Sequence, residues 1–141
     1  MSRIFLDTNL FVYLLEDEGQ RGKRATEIFN EISLRGDEVL TSALTLGELL
    51  VKPFEANDLA LADRYRKTFR GPTVRIIPFD EAAAERFARI RKDRGIKAPD
   101  VIQLATAAAA GCDLFITNDD RLTRVRVPGI HFIASMERAP I

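Results

Sequence analysis

Four acidic residues stand where folding could gather carboxylates: Asp7, Glu48, Asp100 and Asp119. Asp7 ends Ile4-Phe5-Leu6, three bulky apolar residues that read as a buried strand of a parallel sheet. Ligands of open parallel sheets bind in the crevice at the carboxyl ends of the strands, and Asp7 falls there. A charge in that crevice is costly unless something pairs with it. The alternative is that Asp7 only helps to cap the helix after it, with Thr8 and Asn9 as further capping residues. Asp119 repeats the design, since Leu114-Phe115-Ile116 runs into Thr117-Asn118-Asp119-Asp120. Asp100 follows Pro99, a residue favoured at a helix start; in that first turn it could equally serve the helix dipole. Glu48 shares a helical face with Leu44 and Val51, or else sits at the stripe's edge and reaches water.

Like charges gathered at one place resist ionisation, and a divalent cation removes the conflict. Carboxylate ligands suit Mg²⁺ or Mn²⁺. Two such ions about 3.5–4 Å apart clamp the attacking and leaving oxygens of a phosphodiester. No nucleophilic side chain is then required, which suits a chain with one cysteine and one histidine. Cys112 alone excludes an internal disulfide, and Cys112 with His131 cannot build a structural zinc site. Cys112 reads as a small buried residue, and His131 lies in a short apolar run with no catalytic signal.

The elements that must position these acids alternate between strand and helix. A helix over 10–15 follows the first strand, and a second over 23–34 carries Ala25, Ile28, Phe29 and Ile32 on one face. A short strand at 38–41 leads, through a Thr41 or Ser42 cap, to a helix over 43–52 that Pro53 stops. Gly47 lowers helix propensity there by roughly 1 kcal/mol, which suggests close approach of another backbone. A fourth helix reaches Phe69 and could pair with the third as a protruding hairpin. A strand at 74–78 follows, then a helix over 81–94 capped by Asp80, with Arg86, Arg89, Lys92 and Arg94 on its outer positions. Such a run is commonly a solvated face and is also a candidate for phosphate contacts. The sixth helix runs from Pro99 to Ala110, a turn is expected at 121–124, and a last short strand falls within 125–133. Few hairpin signals interrupt this order, so it implies an α/β sandwich around a mainly parallel sheet.

The totals bound the function. A chain of 141 residues fits a single domain spanning 1–141, and 46% hydrophobic residues allow a full core. Twenty-one basic and 21 acidic side chains cancel, which argues against nucleic-acid binding by bulk charge, though not against a local basic patch. No apolar stretch approaches the ~20 residues that span a bilayer. No signal peptide is expected, because Met1-Ser2-Arg3 leads straight into the first strand; a cytoplasmic protein is expected.

The motifs Ile4-Phe5-Leu6-Asp7-Thr8-Asn9, residues 42–48, Pro99-Asp100-Val101-Ile102-Gln103-Leu104-Ala105 and Ile116-Thr117-Asn118-Asp119 resemble those of PIN-domain ribonucleases. They look most like the VapC-type toxins of bacterial and archaeal toxin–antitoxin pairs, and the resemblance covers nearly the whole chain. It implies a three-layer α/β/α PIN-like domain with a mainly parallel central sheet of four to five strands. It implies that Asp7, Glu48, Asp100 and Asp119 bind Mg²⁺ or Mn²⁺, that Thr117 and Asn9 support them by hydrogen bonds, and that Asp120 is a spare acid. It also implies metal-dependent endonucleolytic cleavage of RNA, a homodimer and an antitoxin that blocks the site. The fourth helix is the expected dimer or antitoxin contact. Arg89, Arg121 and Arg124 are the candidate RNA contacts. Competing readings are a PIN-fold RNA-processing nuclease, phosphoryl transfer through an aspartyl intermediate on Asp7, and a non-catalytic RNA- or protein-binding module. The second usually wants an acid two residues on, where this chain has Asn9.

Overall fold

The computed structural model describes residues 1–93 and 95–141. Five strands, β1 (Arg3–Leu6), β2 (Glu38–Ser42), β3 (Val74–Ile77), β4 (Cys112–Thr117) and β5 (Ile130–Ser135), form one sheet in the order β3-β2-β1-β4-β5. Every neighbouring pair is parallel. Parallel neighbours need helical crossovers, and six helices among the described residues supply them. They are α1 (Thr8–Glu16), α2 (Gln20–Leu34), α3 (Ala43–Glu55), α4 (Leu59–Phe69), α5 (Glu81–Arg91) and α6 (Ala98–Ala109).

Side chains alternate across a strand, so the apolar runs feed two cores. Ile4 and Leu6 of β1, with Leu114 and Ile116 of β4, face α1 to α4 through Phe11, Ile28, Leu49 and Tyr65. Phe5, Leu40 and Phe115 face the other way, onto Leu104, Ala107 and Ala108 of α6. The Phe5 and Phe115 rings stack at 5.0 Å and lie 7° from parallel, which locks the two central strands side by side. The result is the three-layer α/β/α arrangement that the resemblance implies, built on the parallel sheet that the strand–helix alternation implies.

Three local expectations are corrected. The α3 helix continues through Pro53 to Glu55. The turn beyond the proline closes because Ala56, Asn57 and Asp58 donate back to Lys52, Phe54 and Pro53, and Asn57 takes the left-handed φ of 52° that ends helices. The α3–α4 pair does not protrude. Arg64 donates to the Leu15 carbonyl at 2.8 Å, the Tyr65 hydroxyl donates to Glu16, and Phe69 packs 4.8 Å from Phe11. Finally, Gly47 approaches no backbone, for a Cβ there meets nothing within 4 Å. The expected reach of α5 to Arg94 lies outside the described residues; the helix is described to Arg91.

The close approach falls instead at Gly22, where a Cβ would lie 1.7 Å from the Asp17 carbonyl oxygen. Two alanine substitutions should therefore act in opposite directions. Gly22→Ala forces α2 off the loop before it and should lower stability by about 1–3 kcal/mol. Gly47→Ala only restricts an open helical position and should raise it by about 0.5–1 kcal/mol. Urea denaturation of both variants checks this; equal and same-signed effects would contradict the packing described.

Candidate active site

The strand order reverses between β1 and β4: from β1 the chain builds outward to β2 and β3, then returns to place β4 on the other side. The crevice at such a reversal is where open α/β sheets bind ligands. Asp7 leaves β1 on one side of it, and its backbone N–H donates to the Ile116 carbonyl of β4 at 3.0 Å. Asp119 follows β4 on the other side. The α6 helix runs back toward the strand origins and so begins at this same edge, carrying Asp100 in its first turn. Glu48 comes from the second turn of α3, just beyond the end of β2.

Asp7 is fixed by two donors. Its Oδ1 accepts from the Thr8 backbone N–H at 2.9 Å, and its Oδ2 from the Thr117 hydroxyl at 2.8 Å. Thr117 in turn accepts the Asp119 backbone N–H at 3.0 Å. Burial pushes the Asp7 carboxyl above its ordinary range, and the negative charges of Asp100 and Glu48 add to the rise, while the two donors oppose it. Asp100 is also raised, by burial and then by Asp119, against Arg121 and Lys97. Asp119 goes the other way. Arg121 holds it below the usual carboxylate range, with Nη2 at 2.8 Å from Oδ2, and Nε at 3.1 Å and the backbone N–H at 3.0 Å from Oδ1. The four acids thus share one electrostatic neighbourhood. Asp100 and Asp119 also line a common cavity of about 400 Å³ with Lys97, Arg121 and Arg124.

Glu48 is exposed and at the edge of its stripe, beside Val51, which is 52% exposed. A buried polar network still ties it to the rest. The Ser42 hydroxyl donates to Gln103 Oε1 at 2.6 Å, and Gln103 Nε2 donates to Thr45 Oγ1 at 2.7 Å. Thr45 and Thr8 hydroxyls meet at 3.1 Å, and Thr8 Oγ1 donates to Glu48 Oε1 at 3.1 Å. A hydroxyl has one proton to give. Since Thr8 spends its proton on Glu48, Thr45 must be the donor to Thr8. The chain therefore has one direction, from Ser42 of β2 through Gln103 of α6 and Thr45 of α3 to Thr8 of α1, and ends on a carboxylate oxygen of Glu48, also in α3.

Gln103, Ser42, Thr45 and Thr8 carry this network without having been singled out as site residues. The signal was present: Gln103 is a lone amide one turn after Asp100 in an otherwise small and apolar helix. Asn9 does not join it. It is exposed, and among the described residues its side chain makes no hydrogen bond, because one step along α1 turns it away from Thr8. Asp120 is exposed and contributes only its carbonyl, to the Thr123 hydroxyl at 2.7 Å. Arg89 lines an adjoining cavity. His131 and Cys112 begin β5 and β4 and so lie at the opposite edge; burial pushes the Cys112 thiol up to about 12, which leaves it inert.

The donor set fits a hard, oxygen-liganded ion. Among the described residues neither Asp7 nor Asp100 forms an ion pair, so the charge they carry when ionised calls for a cation. With Asp119 turned onto Arg121, no three His, Cys, Asp or Glu side chains among the described residues are grouped closely enough to hold an ion as they stand. For Asp119 to join such a set, its carboxylate would have to leave Arg121 for the ion.

The PIN domain family's sequence model matches residues 4–128, and the chain belongs to that family. No curated protein matches it. Among solved structures, VapBC2 from Rickettsia felis, bound to a DNA fragment from its promoter, is 18% identical with a TM-score of 0.73, covering 94% of this chain and 98% of that one. A toxin–antitoxin complex from Klebsiella pneumoniae is 25% identical with a TM-score of 0.66, covering 90% and 94%. VapC20 from Mycobacterium tuberculosis, a sarcin–ricin loop cleaving toxin, is 18% identical with a TM-score of 0.62, covering 79% and 86%.

An acid whose pKa is raised by folding favours the folded state only while protonated. For Asp7 that contribution is complete below its unfolded value near 3.8 and is lost as pH rises through the raised folded value. In chelator, Asp7→Asn should therefore gain on the native protein in melting temperature as pH rises from acid to neutral. A constant difference would contradict the burial described. Gln103→Leu strands Ser42 and Thr45, and should cost about 1–3 kcal/mol in the same melts.

Proposed function

We propose that this chain is a Mg²⁺- or Mn²⁺-dependent endoribonuclease and the toxin of a toxin–antitoxin pair. The observation that carries the reading is the convergence of Asp7, Glu48, Asp100 and Asp119 on the crevice where the sheet order reverses. Membership of the PIN domain family supports it, as does likeness in fold to toxin–antitoxin complexes and to a sarcin–ricin loop cleaving toxin. The matched complexes also support an antitoxin as partner. A homodimer remains part of the proposal.

Asp7 and Asp100 would hold the metal, with Asp119 joining once Arg121 releases it. The ion would supply an activated water and charge stabilisation at a phosphodiester. Thr117 and the Thr8 N–H hold the Asp7 carboxyl in one orientation, so little reorganisation is needed when a ligand arrives. Glu48, aimed by Thr8 and Gln103, stands on the solvent side, where it can accept a proton or orient water. Arg121, freed from Asp119, becomes available to a substrate phosphate oxygen.

Purified protein should cut RNA with Mg²⁺ or Mn²⁺ and stop on addition of chelator. Asp7→Asn and Asp100→Asn should each lower the cleavage rate by a factor of at least about 10² while remaining folded, as expected when a group that stabilises transition-state charge is lost. Cleavage that persists in chelator, or in either variant, would reject the assignment. Growth arrest on expression, relieved by co-expression of a neighbouring gene, separates a toxin from an RNA-processing enzyme of the same fold.

A further inference from the structure

Thr117 serves two of the four acids at once. Its hydroxyl accepts the Asp119 backbone N–H at 3.0 Å and donates to Asp7 Oδ2 at 2.8 Å. A hydroxyl has one proton to give, and the bond from Asp119 leaves that proton for Asp7. The same bond closes a turn over Asn118, so the backbone angles of Asn118 decide whether it forms. β4 ends at Thr117, and no strand pairing fixes those angles.

The Asn118 side chain supplies the missing restraint. Its Nδ2 donates to the Tyr13 hydroxyl of α1 at 2.8 Å. The start of α1 and the end of β4 are therefore joined twice, by Thr117 on Asp7 and by Asn118 on Tyr13. Tyr13 is itself held in place. It is half-buried against the α1–α4 core. The Arg21 guanidinium lies 5.5 Å from the centre of its ring. Its carbonyl accepts the Asp17 N–H at 3.2 Å, in the corner where Gly22 leaves no room for a Cβ. The packing of the α1–α2 corner thus reaches the acid centre through one side-chain hydrogen bond.

We infer that Tyr13 is a positioning residue for the metal site. Acting through Asn118, it keeps the Thr117 hydroxyl on Asp7 and holds Asp119 in register with it. The inference rests on the nuclease reading and adds to it a pair of residues that touch neither ion nor substrate. Groups that orient metal ligands from outside set affinity almost as strongly as the ligands do. A bond that served packing alone would lower stability and leave ion affinity where it was.

The test is a double-mutant cycle on Mn²⁺ affinity, with free Mn²⁺ read by electron paramagnetic resonance and the melting temperature of each variant in chelator showing that it is folded. Tyr13→Phe and Asn118→Ala should each weaken Mn²⁺ binding about tenfold. Together they should cost little more than either alone, because both remove the same bond. Tyr65→Phe removes the other tyrosine hydroxyl bonded to α1, at Glu16, the far end of the helix from Asp7; it should leave Mn²⁺ affinity unchanged. Native affinity in Tyr13→Phe would overturn the inference, as would losses that simply add in the double variant or that Tyr65→Phe matches. If the native protein cuts RNA while Tyr13→Phe binds Mn²⁺ and cuts like it, the positioning role fails and the nuclease reading stands. If the cycle behaves as described but nothing is cut, the reverse holds. A native protein that binds no Mn²⁺ would reject both.

Discussion

Asp7 is a carboxyl group removed from water at the reversal point of a parallel sheet, with two hydrogen-bond donors and no ion-pair partner among the described residues. Leaving such a group charged costs free energy that the donors only partly offset. The rest of the structure sets that cost and keeps it from being relaxed. β1 is central, so Asp7 cannot slide outward without breaking pairings to both β2 and β4. Thr117, the last residue of β4, supplies one donor, and the first N–H of α1 supplies the other.

The surrounding polar network serves the same end. Inside a protein, a chain of satisfied hydrogen bonds is rigid, and a broken one is costly. The Ser42–Gln103–Thr45–Thr8 chain joins the β2–α3 corner, α6 and α1 at the level of the acids. It holds in register the helices that carry Glu48 and Asp100. Arg121 provides the counterpart to this rigidity. It sits on an exposed turn and pairs with the one of the four acids whose carboxyl is lowered rather than raised.

Much of this was legible in the sequence, for identifiable reasons. Ile4-Phe5-Leu6 and Leu114-Phe115-Ile116 are continuous apolar runs, as strands buried on both faces require, and the acids that end them could be read from position alone. What escaped depends on contacts between distant segments. The Gln103 amide meets residues 58 and 95 positions away, and no local period encodes that pairing. Thr8 and Asn9 are both plausible supports in a linear motif, and only the helical turn decides that Thr8 faces inward. Pro53 misled because a proline removes only its own N–H and crowds the carbonyl four residues back; the turn after it can still close, and here three backbone N–H groups close it.

The most direct measurement is the anomalous difference map of crystals soaked in Mn²⁺. The account predicts a peak against the Asp7 and Asp100 carboxylates, with Asp119 turned from Arg121 toward it. A map with no peak in that crevice at saturating Mn²⁺, or with the ion elsewhere and the Asp119–Arg121 pair intact, would contradict it.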